Sequence, residues 1–292
     1  MPVVTWPRPL VDRIAAGQWV LFIGSGVSAT AKNGAGDSPP TWSALLEQLC
    51  GLVADDGMRV AGKELIERHE FLAAADHIRF ALGQEANLNG YLQAIRVAVD
   101  GPVGDKYAPS SFFETLLRLE PRVVFTTNYD KLFEIASLNG FAMHPFDSRN
   151  LGYDLRRGEP VLVKLHGTTD SVDEIVLTRT DYVRVMRDGR EVFEALNALS
   201  LTSTILFVGY SLDDPDIQLV LQAVGRSGLS PEAHFMLAPE PPSPARIPVF
   251  RESFGVSVLT YPAGDHAQAE QALVELGDLV LAERATRAPA AP

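Results

Sequence analysis

The sequence predicts an α/β fold: a Rossmann-like parallel sheet with helices on both faces and an inserted helical module. The first observation behind this prediction is a series of short, almost wholly apolar runs, which are typical of strands buried on both faces of a parallel sheet. The second is that helix-like stretches lie between most of these runs, and this alternation is the pattern of a doubly wound sheet. The predicted strands are Trp19–Ile23, Arg122–Thr126, Val161–Leu165, Ile205–Val208, His234–Ala238 and Val256–Tyr261.

Helical periodicity occupies most of the remaining sequence. A first helix is predicted over Leu10–Ala16, where Gly17 provides a stop, and a last helix over Ala267–Arg284, followed by a frayed tail over Ala288–Pro292. The proline-rich segment Glu240–Pro248 is expected to be an irregular surface connection. Helices between strands are predicted over Lys131–Ser137, Glu191–Leu199 and Pro215–Val224.

One long section breaks the alternation. Residues 41–119 show helical periodicity and no convincing strand, and a loop rich in Gly and Pro, Asn33–Pro40, leads into them. We therefore expect one domain over residues 1–292, with a Rossmann-like core of residues 10–32 and 120–285 and a helical module of residues 41–119. The helices predicted in that module are Trp42–Val53, Lys63–Leu82, Leu88–Val99 and Ser110–Leu119.

Composition excludes several classes of function. Of the 292 residues, 46% are hydrophobic and 21% are charged, which is typical of a globular chain. The formal net charge of −12 argues against autonomous nucleic-acid binding, which needs clustered Lys and Arg. No apolar run approaches the roughly 20 residues that span a bilayer, so we expect a cytoplasmic protein. The single cysteine, Cys50, can form neither an intrachain disulfide nor a four-cysteine zinc site.

A glycine turn follows the first predicted strand. Gly24-Ser25-Gly26-Val27-Ser28 allows a sharp bend and a close backbone approach, and backbone N–H groups at such a turn can bind a phosphate. The alternative is a tight turn without a ligand, since Gly-x-Gly turns are common and the third glycine of the dinucleotide fingerprint is missing. A similar glycine-to-helix transition, Gly209-Tyr210-Ser211, follows the Ile205–Val208 strand, and the aspartates after it are also explained as helix caps.

Two further strands end in polar residues. Thr126-Thr127-Asn128-Tyr129-Asp130 follows one of them, and His166-Gly167 follows the next. Ligands of open α/β sheets bind at this carboxyl edge, and a histidine there is a candidate general base because its pKa lies near the working pH. The alternative for Asn128 and Asp130 is that they cap the helix beginning at Lys131.

Taken together, these motifs resemble the sirtuin family of NAD-dependent enzymes. That family carries a Gly-Ala-Gly-x-Ser turn, a Thr-Gln-Asn-Ile-Asp strand end, a His-Gly turn and a Gly-x-Ser strand end. This chain also departs from the deacylases of the family: it has no Cys-x-x-Cys pairs between His166 and Gly209, and Ser38–Trp42 replaces the segment that carries a phosphate-facing arginine. These departures resemble the zinc-free sirtuin-like domains of bacterial antiphage defence systems.

The resemblance implies a site and a reaction. NAD would be the substrate, with no metal, and Asn128 and His166 would be catalytic: Asn128 would order the ribose and the attacking water, and His166 would act as the base. Asp130 would bind the nicotinamide carboxamide. The residues implied to bind the rest of NAD are Gly24, Ser25, Gly26, Ser28, Thr127, Gly209, Ser211, Gly264, Asp265 and His266.

Three functions follow from this resemblance. The first is an NAD hydrolase that cleaves the nicotinamide–ribose bond and depletes NAD when it is triggered. The second is a protein deacylase or ADP-ribosyltransferase, which the missing zinc module disfavours. The third is a non-catalytic NAD- or ADP-ribose-binding module, which the presence of Asn128 and His166 disfavours. Because a constitutive NAD hydrolase would kill its host, we expect a homo-oligomer or a regulatory partner, such as a HerA-type ATPase or an Argonaute-like protein, and no nucleic-acid or membrane contact.

Overall fold

The chain forms an α/β fold with a seven-stranded, all-parallel sheet and helices on both faces, which confirms the predicted fold class. The structure is a computed structural model that describes residues 4–210, 221, 234–241 and 244–287. The strands are β1 (Trp19–Ile23), β2 (Val123–Thr126), β3 (Ala142–Pro145), β4 (Val161–Lys164), β5 (Thr204–Val208), β6 (His234–Pro239) and β7 (Val256–Tyr261).

The helices described in the structure fall into three groups along the chain. Before and after β1 lie α1 (Arg8–Ala15) and the single turn α2 (Ser25–Ser28). Between α2 and β2 lie α3 (Trp42–Cys50), α4 (Asp56–Glu67), α5 (Phe71–Gln84), α6 (Leu88–Asp100) and α7 (Ser111–Leu117). The later helices are α8 (Leu132–Ala136), α9 (Leu151–Arg157), a 3₁₀ segment (Thr169–Glu174), α10 (Arg179–Asp188), α11 (Arg190–Thr202), α12 (Arg246–Phe254) and α13 (His266–Arg287).

The strand order is β3-β4-β2-β1-β5-β6-β7. The chain builds outward from β1 on one side through β2 and β4, then returns to β5 on the other side of β1. Because the chain after β1 runs toward β2 and the chain after β5 runs the opposite way toward β6, a crevice is expected between the carboxyl ends of β1 and β5, where ligands of such sheets bind. The parallel register places Ile23 beside Thr126 on one side and beside Val208 on the other.

Both faces of the sheet are covered, which explains the continuous apolar runs. In β1, Leu21 and Ile23 join a core with residues of α1, α7, α8 and α13. Val20 and Phe22 point the other way and join a core with residues of α9, α11 and α12. The central strands therefore face apolar layers on both sides, and most of their positions read as hydrophobic.

The helices α3 to α6 form a third core of their own, whereas α7 packs on the sheet. This third core also includes Ile175 and Leu177, and Tyr129 packs against it. Helices α3 to α6 therefore pack against the segments that follow β2 and β4. Arg96 reinforces this contact by donating a hydrogen bond to the Thr169 carbonyl at 3.2 Å.

Two predicted elements need correction, and one strand was missed. The single helix expected over Lys63–Leu82 is two helices, α4 and α5, because His69 has a left-handed φ of 59° between them. The edge strand β3 was not predicted, since it is short and mostly exposed and has no apolar run. The irregular segment expected over Glu240–Pro248 gives way to α12 at residue 246. The predicted helix Pro215–Val224, apart from Leu221, and the predicted tail Ala288–Pro292 lie outside the described residues.

Candidate active site at the carboxyl edge of the sheet

The glycine turn after β1 lies against the end of β5. A Cβ atom on Gly24 would lie 2.7 Å from the Gly209 carbonyl oxygen, and one on Gly26 would lie 2.8 Å from the same atom. Gly209 itself has a φ of +81°, and its own Cβ would lie 2.7 Å from the Val27 nitrogen. All three positions therefore require glycine on steric grounds.

The Gly24 and Gly26 backbone amides of this turn do not have the phosphate-binding role that the sequence suggested for them. The Gly26 amide, expected to face a phosphate, donates to the Gly209 carbonyl at 2.9 Å, and the Gly24 amide donates to the Val208 carbonyl at 2.9 Å. These amides thus tie the two strand ends together. The exposed residues Ser25 and Gly26 nevertheless line a cavity, so the turn still faces the crevice.

The cavity has a volume of about 200 Å³ and opens beside the carboxyl ends of β1, β5, β6 and β7. Its walls are mainly apolar and aromatic, with the Tyr261 hydroxyl 3.2 Å from His266 Nδ1 on one side. The described lining residues are Ser25, Gly26, Thr30, Phe112, Val208, Gly209, Tyr210, Leu237, Pro239, Tyr261, His266 and Ala269.

Of the three residues expected near adenine, only His266 lines this cavity. Asp265 instead caps the start of α13, because its carboxylate accepts hydrogen bonds from the backbone and the side chain of Gln268 at 3.3 Å and 2.6 Å. Gly264 has a φ of +81° and forms the turn before that helix. Ser211, also expected in the site, lies outside the described residues.

Asn128 is bound to the glycine turn and not to the following helix. Its side-chain amide donates to the Gly24 carbonyl at 3.0 Å and to Ser28 Oγ at 2.8 Å. Ser28 in turn donates to Asp130 Oδ2 at 2.6 Å. The capping alternative is therefore wrong for Asn128. With both amide hydrogens engaged, its Oδ1 is the atom left to meet a substrate.

Asp130 has the capping role that was considered for both residues. Its Oδ1 accepts from the Leu132 amide at 3.0 Å, at the start of α8, while its Oδ2 accepts from Ser28. The side chain is 8% exposed. Each oxygen keeps a second lone pair, so the carboxylate can still accept a hydrogen bond from a ligand.

Thr127 contacts a residue that sequence reasoning passed over. Its hydroxyl lies 3.0 Å from the Tyr210 hydroxyl, which also donates to the Ile23 carbonyl at 3.0 Å. Tyr210 is almost fully buried and lines the cavity. It therefore connects the ends of β1, β2 and β5. Its position between Gly209 and Ser211 was the available sequence signal.

His166 lies just past the end of β4, the neighbour of β2, and is 5% exposed. Its ring meets that of Tyr182 edge-on, with centroids 5.1 Å apart. Burial lowers the pKa of His166 to about 3, because the imidazolium form would lose its hydration. The expectation of a pKa near the working pH is therefore wrong for this conformation, and the ring is neutral at physiological pH. Gly167, with a φ of +85°, turns the chain away behind it.

The candidate residues thus form two clusters along one edge. Asn128, Asp130 and Ser28 are hydrogen-bonded at the β1–β2 junction, and His166 follows on the adjacent strand β4. His266 and the cavity lie toward β7 on the other side of β1. Within the described part of the chain, no group of three or more His, Cys, Asp or Glu side chains could hold a metal ion. Among the same residues, no helix has the length and apolarity to cross a membrane.

Comparison with known proteins assigns the fold and the family. The model of the SIR2-like domain matches residues 122–259, which include the β2 and β4 strand ends described above. This chain carries a SIR2-like domain. It is related to bacterial ThsA NAD(+) hydrolases and to defense-associated sirtuins.

The sequence relatives match over part of their length. An NAD(+) hydrolase ThsA from Enterococcus faecium is 31% identical over 125 residues, which cover 41% of this chain and 26% of that protein. ThsA from Bacillus cereus is 32% identical over 37% of this chain and 23% of its own length. Defense-associated sirtuin 2 from Bacillus subtilis is 24% identical over 76% of this chain and 21% of its own length. The matched region therefore spans about a quarter of these relatives.

Solved structures support the fold. A Sir2 homologue in complex with NAD aligns over 97% of both chains, with a TM-score of 0.52 and 13% identity. A Sir2 homologue mutant in complex with 2'-O-acetyl ADP ribose aligns over 96% of this chain and 98% of that one, with a TM-score of 0.50 and 14% identity. At such low identity the SIR2-like domain shares the fold with these proteins, and its activity needs separate evidence.

Proposed function

We propose that this SIR2-like domain is an NAD+ hydrolase that cleaves the nicotinamide–ribose bond to give nicotinamide and ADP-ribose. The observation that carries the proposal is the Asn128 side chain, held by two hydrogen bonds with Oδ1 left for a ligand at the crevice beside β1. The sequence similarity to ThsA NAD(+) hydrolases supports the same reaction. The proposal extends to a role in bacterial antiphage defence, with NAD depletion held off by a homo-oligomer or a partner protein until it is triggered.

The reaction consumes water and releases one proton in addition to nicotinamide and ADP-ribose. The C–N bond breaks toward an oxocarbenium-like ribose, because nicotinamide leaves as a neutral molecule. Asn128 Oδ1 accepts a hydrogen bond from a ribose hydroxyl or from the attacking water and so fixes its position. Asp130 accepts a hydrogen bond from the nicotinamide carboxamide.

His166 takes the proton of the attacking water. Its low pKa makes it a weak base in this conformation, but water that adds to an oxocarbenium carbon becomes strongly acidic and needs only a weak acceptor. The neutral ring also tolerates burial better than a charged one would. The proton then passes to solvent when the site opens.

The cavity beside β5–β7 would hold the adenosine half of NAD. Aromatic and apolar walls suit a purine base, and the His266–Tyr261 pair offers polar atoms at its edge. Ser25 and Gly26 line this cavity and belong to the same turn as Gly24, which accepts a hydrogen bond from Asn128, so the diphosphate of a bound dinucleotide would pass along this turn.

The test is to incubate the purified protein with NAD and to quantify nicotinamide and ADP-ribose by chromatography. Equimolar release of both products, slowed about 10²-fold or more in His166→Ala with NAD binding preserved, is the expected result. The same reactions should include an acyl-lysine peptide. Nicotinamide release that requires the peptide would refute the hydrolase and assign a deacylase. Turnover in His166→Ala within a fewfold of the wild type would remove this residue from the mechanism.

A further inference from the structure

Lys164 is a fully buried lysine at the end of β4, two residues before His166, and it is 1% exposed. A buried ammonium group is costly unless each of its three N–H groups finds an acceptor. In this structure all three do. The acceptors are the Tyr129 carbonyl at 3.4 Å, the Asp130 carbonyl, and Glu134 Oε1 at 2.8 Å.

Two of these acceptors are consecutive carbonyl groups of one loop. That loop, residues 127–131, carries Asn128 and Asp130 between β2 and α8. Its side chains are held from the β1 side by Ser28 and Gly24, as described above. The Lys164 ammonium holds its backbone from the β4 side. The loop is therefore fixed from two directions by groups on its two neighbouring strands.

The same lysine connects the loop to the predicted base. Because Lys164 and His166 belong to one short piece of chain after Val163, a hydrogen bond from Lys164 to the Asp130 carbonyl sets the position of the β2 loop relative to the His166 turn. A backbone bond supports this pairing, from the Leu165 amide to the Thr126 carbonyl at 2.9 Å. No catalytic role explains an ammonium group that is this deeply buried and whose three donors are all engaged.

We propose that Lys164 is a positioning residue, which holds the Asn128–Asp130 loop at the distance from His166 that NAD cleavage requires. This inference rests on the hydrolase proposed above for its effect on turnover. Its structural part, the clamp on the two carbonyl groups, stands independently of the reaction. Glu134 has a separate task, which is to balance the charge of the buried ammonium.

The test compares three variants and one control. Lys164→Met keeps a similar length but removes all three donors. Lys164→Met with Glu134→Gln also removes the carboxylate charge left without a partner, and it is the variant to use if the single change impairs folding. Glu134→Gln alone keeps an acceptor for Lys164. The control is Lys131→Met, because Lys131 lies in the same loop but is exposed and pairs with Asp170 on the surface at 2.8 Å.

Two readouts are needed. The first is hydrogen exchange of the peptide that covers residues 127–133, where both Lys164→Met variants should exchange about tenfold faster than the wild type while the sheet peptides stay protected. The second is steady-state NAD cleavage below the melting temperature. Both Lys164→Met variants should lose about 10²-fold in kcat with KM changed less than threefold, since neither Lys164 nor the 127–131 loop lines the adenosine cavity. Glu134→Gln and Lys131→Met should keep kcat within threefold.

The outcomes separate the two proposals. Unchanged exchange in the loop, or a kcat within twofold of the wild type in a folded Lys164→Met variant, would overturn the positioning role whatever the reaction. A loss of kcat in Glu134→Gln equal to that in Lys164→Met would also overturn it, because charge balance alone would then explain the effect. Faster loop exchange in a protein whose wild type releases no nicotinamide would refute the hydrolase and leave the clamp standing.

Discussion

Asn128→Asp is the substitution that most directly tests the arrangement at the β1–β2 junction. The side chain keeps its size, but the amide that donates to the Gly24 carbonyl and to Ser28 Oγ becomes a carboxylate without protons. A carboxylate oxygen then replaces the amide nitrogen that lies 3.0 Å from the Gly24 carbonyl oxygen, so two acceptors face each other. Ser28 already donates its only proton to Asp130, so the two carboxylates compete for one hydroxyl.

The expected cost follows from counting these contacts. Two hydrogen bonds are lost at about 1 kcal/mol each, and the mostly buried acceptor left at Gly24 adds a similar penalty, which gives about 2–4 kcal/mol of lost stability. Asn128→Ala removes the same two donors without adding charge and should lose less, about 1–3 kcal/mol. Neither loss reflects helix capping, because Asp130 supplies the cap of α8.

Turnover should fall by more than the loss of folded protein can explain. A misplaced orienting group costs about 10²-fold in turnover, even when the protein stays folded. Urea unfolding and nicotinamide release, both measured on each variant, separate the two effects when turnover is expressed per folded molecule. The control is Asn33→Ala, since the Asn33 side chain hydrogen-bonds within its own loop, to Asp37, and to none of the residues at these strand ends. Normal turnover per folded molecule in Asn128→Asp would refute the assignment of Asn128 to the site, and unchanged stability would refute the hydrogen-bond network.

Three further predictions address other parts of the structure. Burial lowers the pKa of His166 from its usual 6.5 to about 3, so the free energy of unfolding should not depend on this residue above about pH 6.5 and should fall by up to ~1.4 kcal/mol per pH unit as the pH drops toward 3. Urea titrations should show a shallower pH dependence of stability in His166→Gln. An identical slope in the two proteins would contradict the burial argument. Elemental measurements should find no stoichiometric zinc and chelators should leave activity intact, whereas one tightly bound zinc per chain would mean that the sequence branch was misassigned. Gly209→Ala should lower the free energy of unfolding by about 2–4 kcal/mol, because a Cβ would lie 2.7 Å from the Val27 nitrogen. The control Gly17→Ala, with φ +68° but nothing within 4 Å of the added Cβ, should lower it by only about 1 kcal/mol. Equal losses in urea unfolding would show that the backbone conformation alone matters.

The strands of the sheet could be predicted because their environment leaves a simple pattern. A central parallel strand such as β1 is apolar at every position, and its length is set by the sheet, so Trp19–Ile23 was predicted with the bounds that the structure gives it. β3 has a different environment. It lies at the edge of the sheet, where Ala142 and Met143 are exposed, and no hydrophobic pattern distinguishes it from a loop.

The helical boundaries depended on signals that the sequence carries weakly. The break between α4 and α5 falls at His69, which takes a left-handed conformation without the glycine or proline that usually marks such a position. Asp55 caps the start of α4 through Met58, so the helix begins seven residues before the predicted start at Lys63. Asp55 is the signal in the sequence that marks this start, because Asp is a favoured N-cap residue.

At the site, sequence could place residues at strand ends but could not assign their partners. The rule that parallel strands present their carboxyl ends at one edge was enough to bring Asn128 and His166 to adjacent strands. It gave no reason to connect Asn128 to Ser28, which is 100 residues earlier. Lys164 was visible as a charged residue inside an apolar strand, and a buried lysine in such a place needs acceptors, yet only the fold identifies them as Tyr129, Asp130 and Glu134.

The glycine turn after β1 belongs to both clusters of the candidate site, which gives it two separable tasks. Its Ser25 and Gly26 face the cavity on the β5–β7 side, whereas Gly24 and Ser28 receive the Asn128 amide on the β2 side. Ser28→Ala should therefore act on the chemical step, lowering kcat through the loss of a partner for both Asn128 and Asp130. Ser25→Ala removes a hydroxyl at the cavity mouth and should act on KM. If the turn served only to join β1 to α2, steady-state kinetics would show no selective loss of kcat in Ser28→Ala and no selective rise of KM in Ser25→Ala.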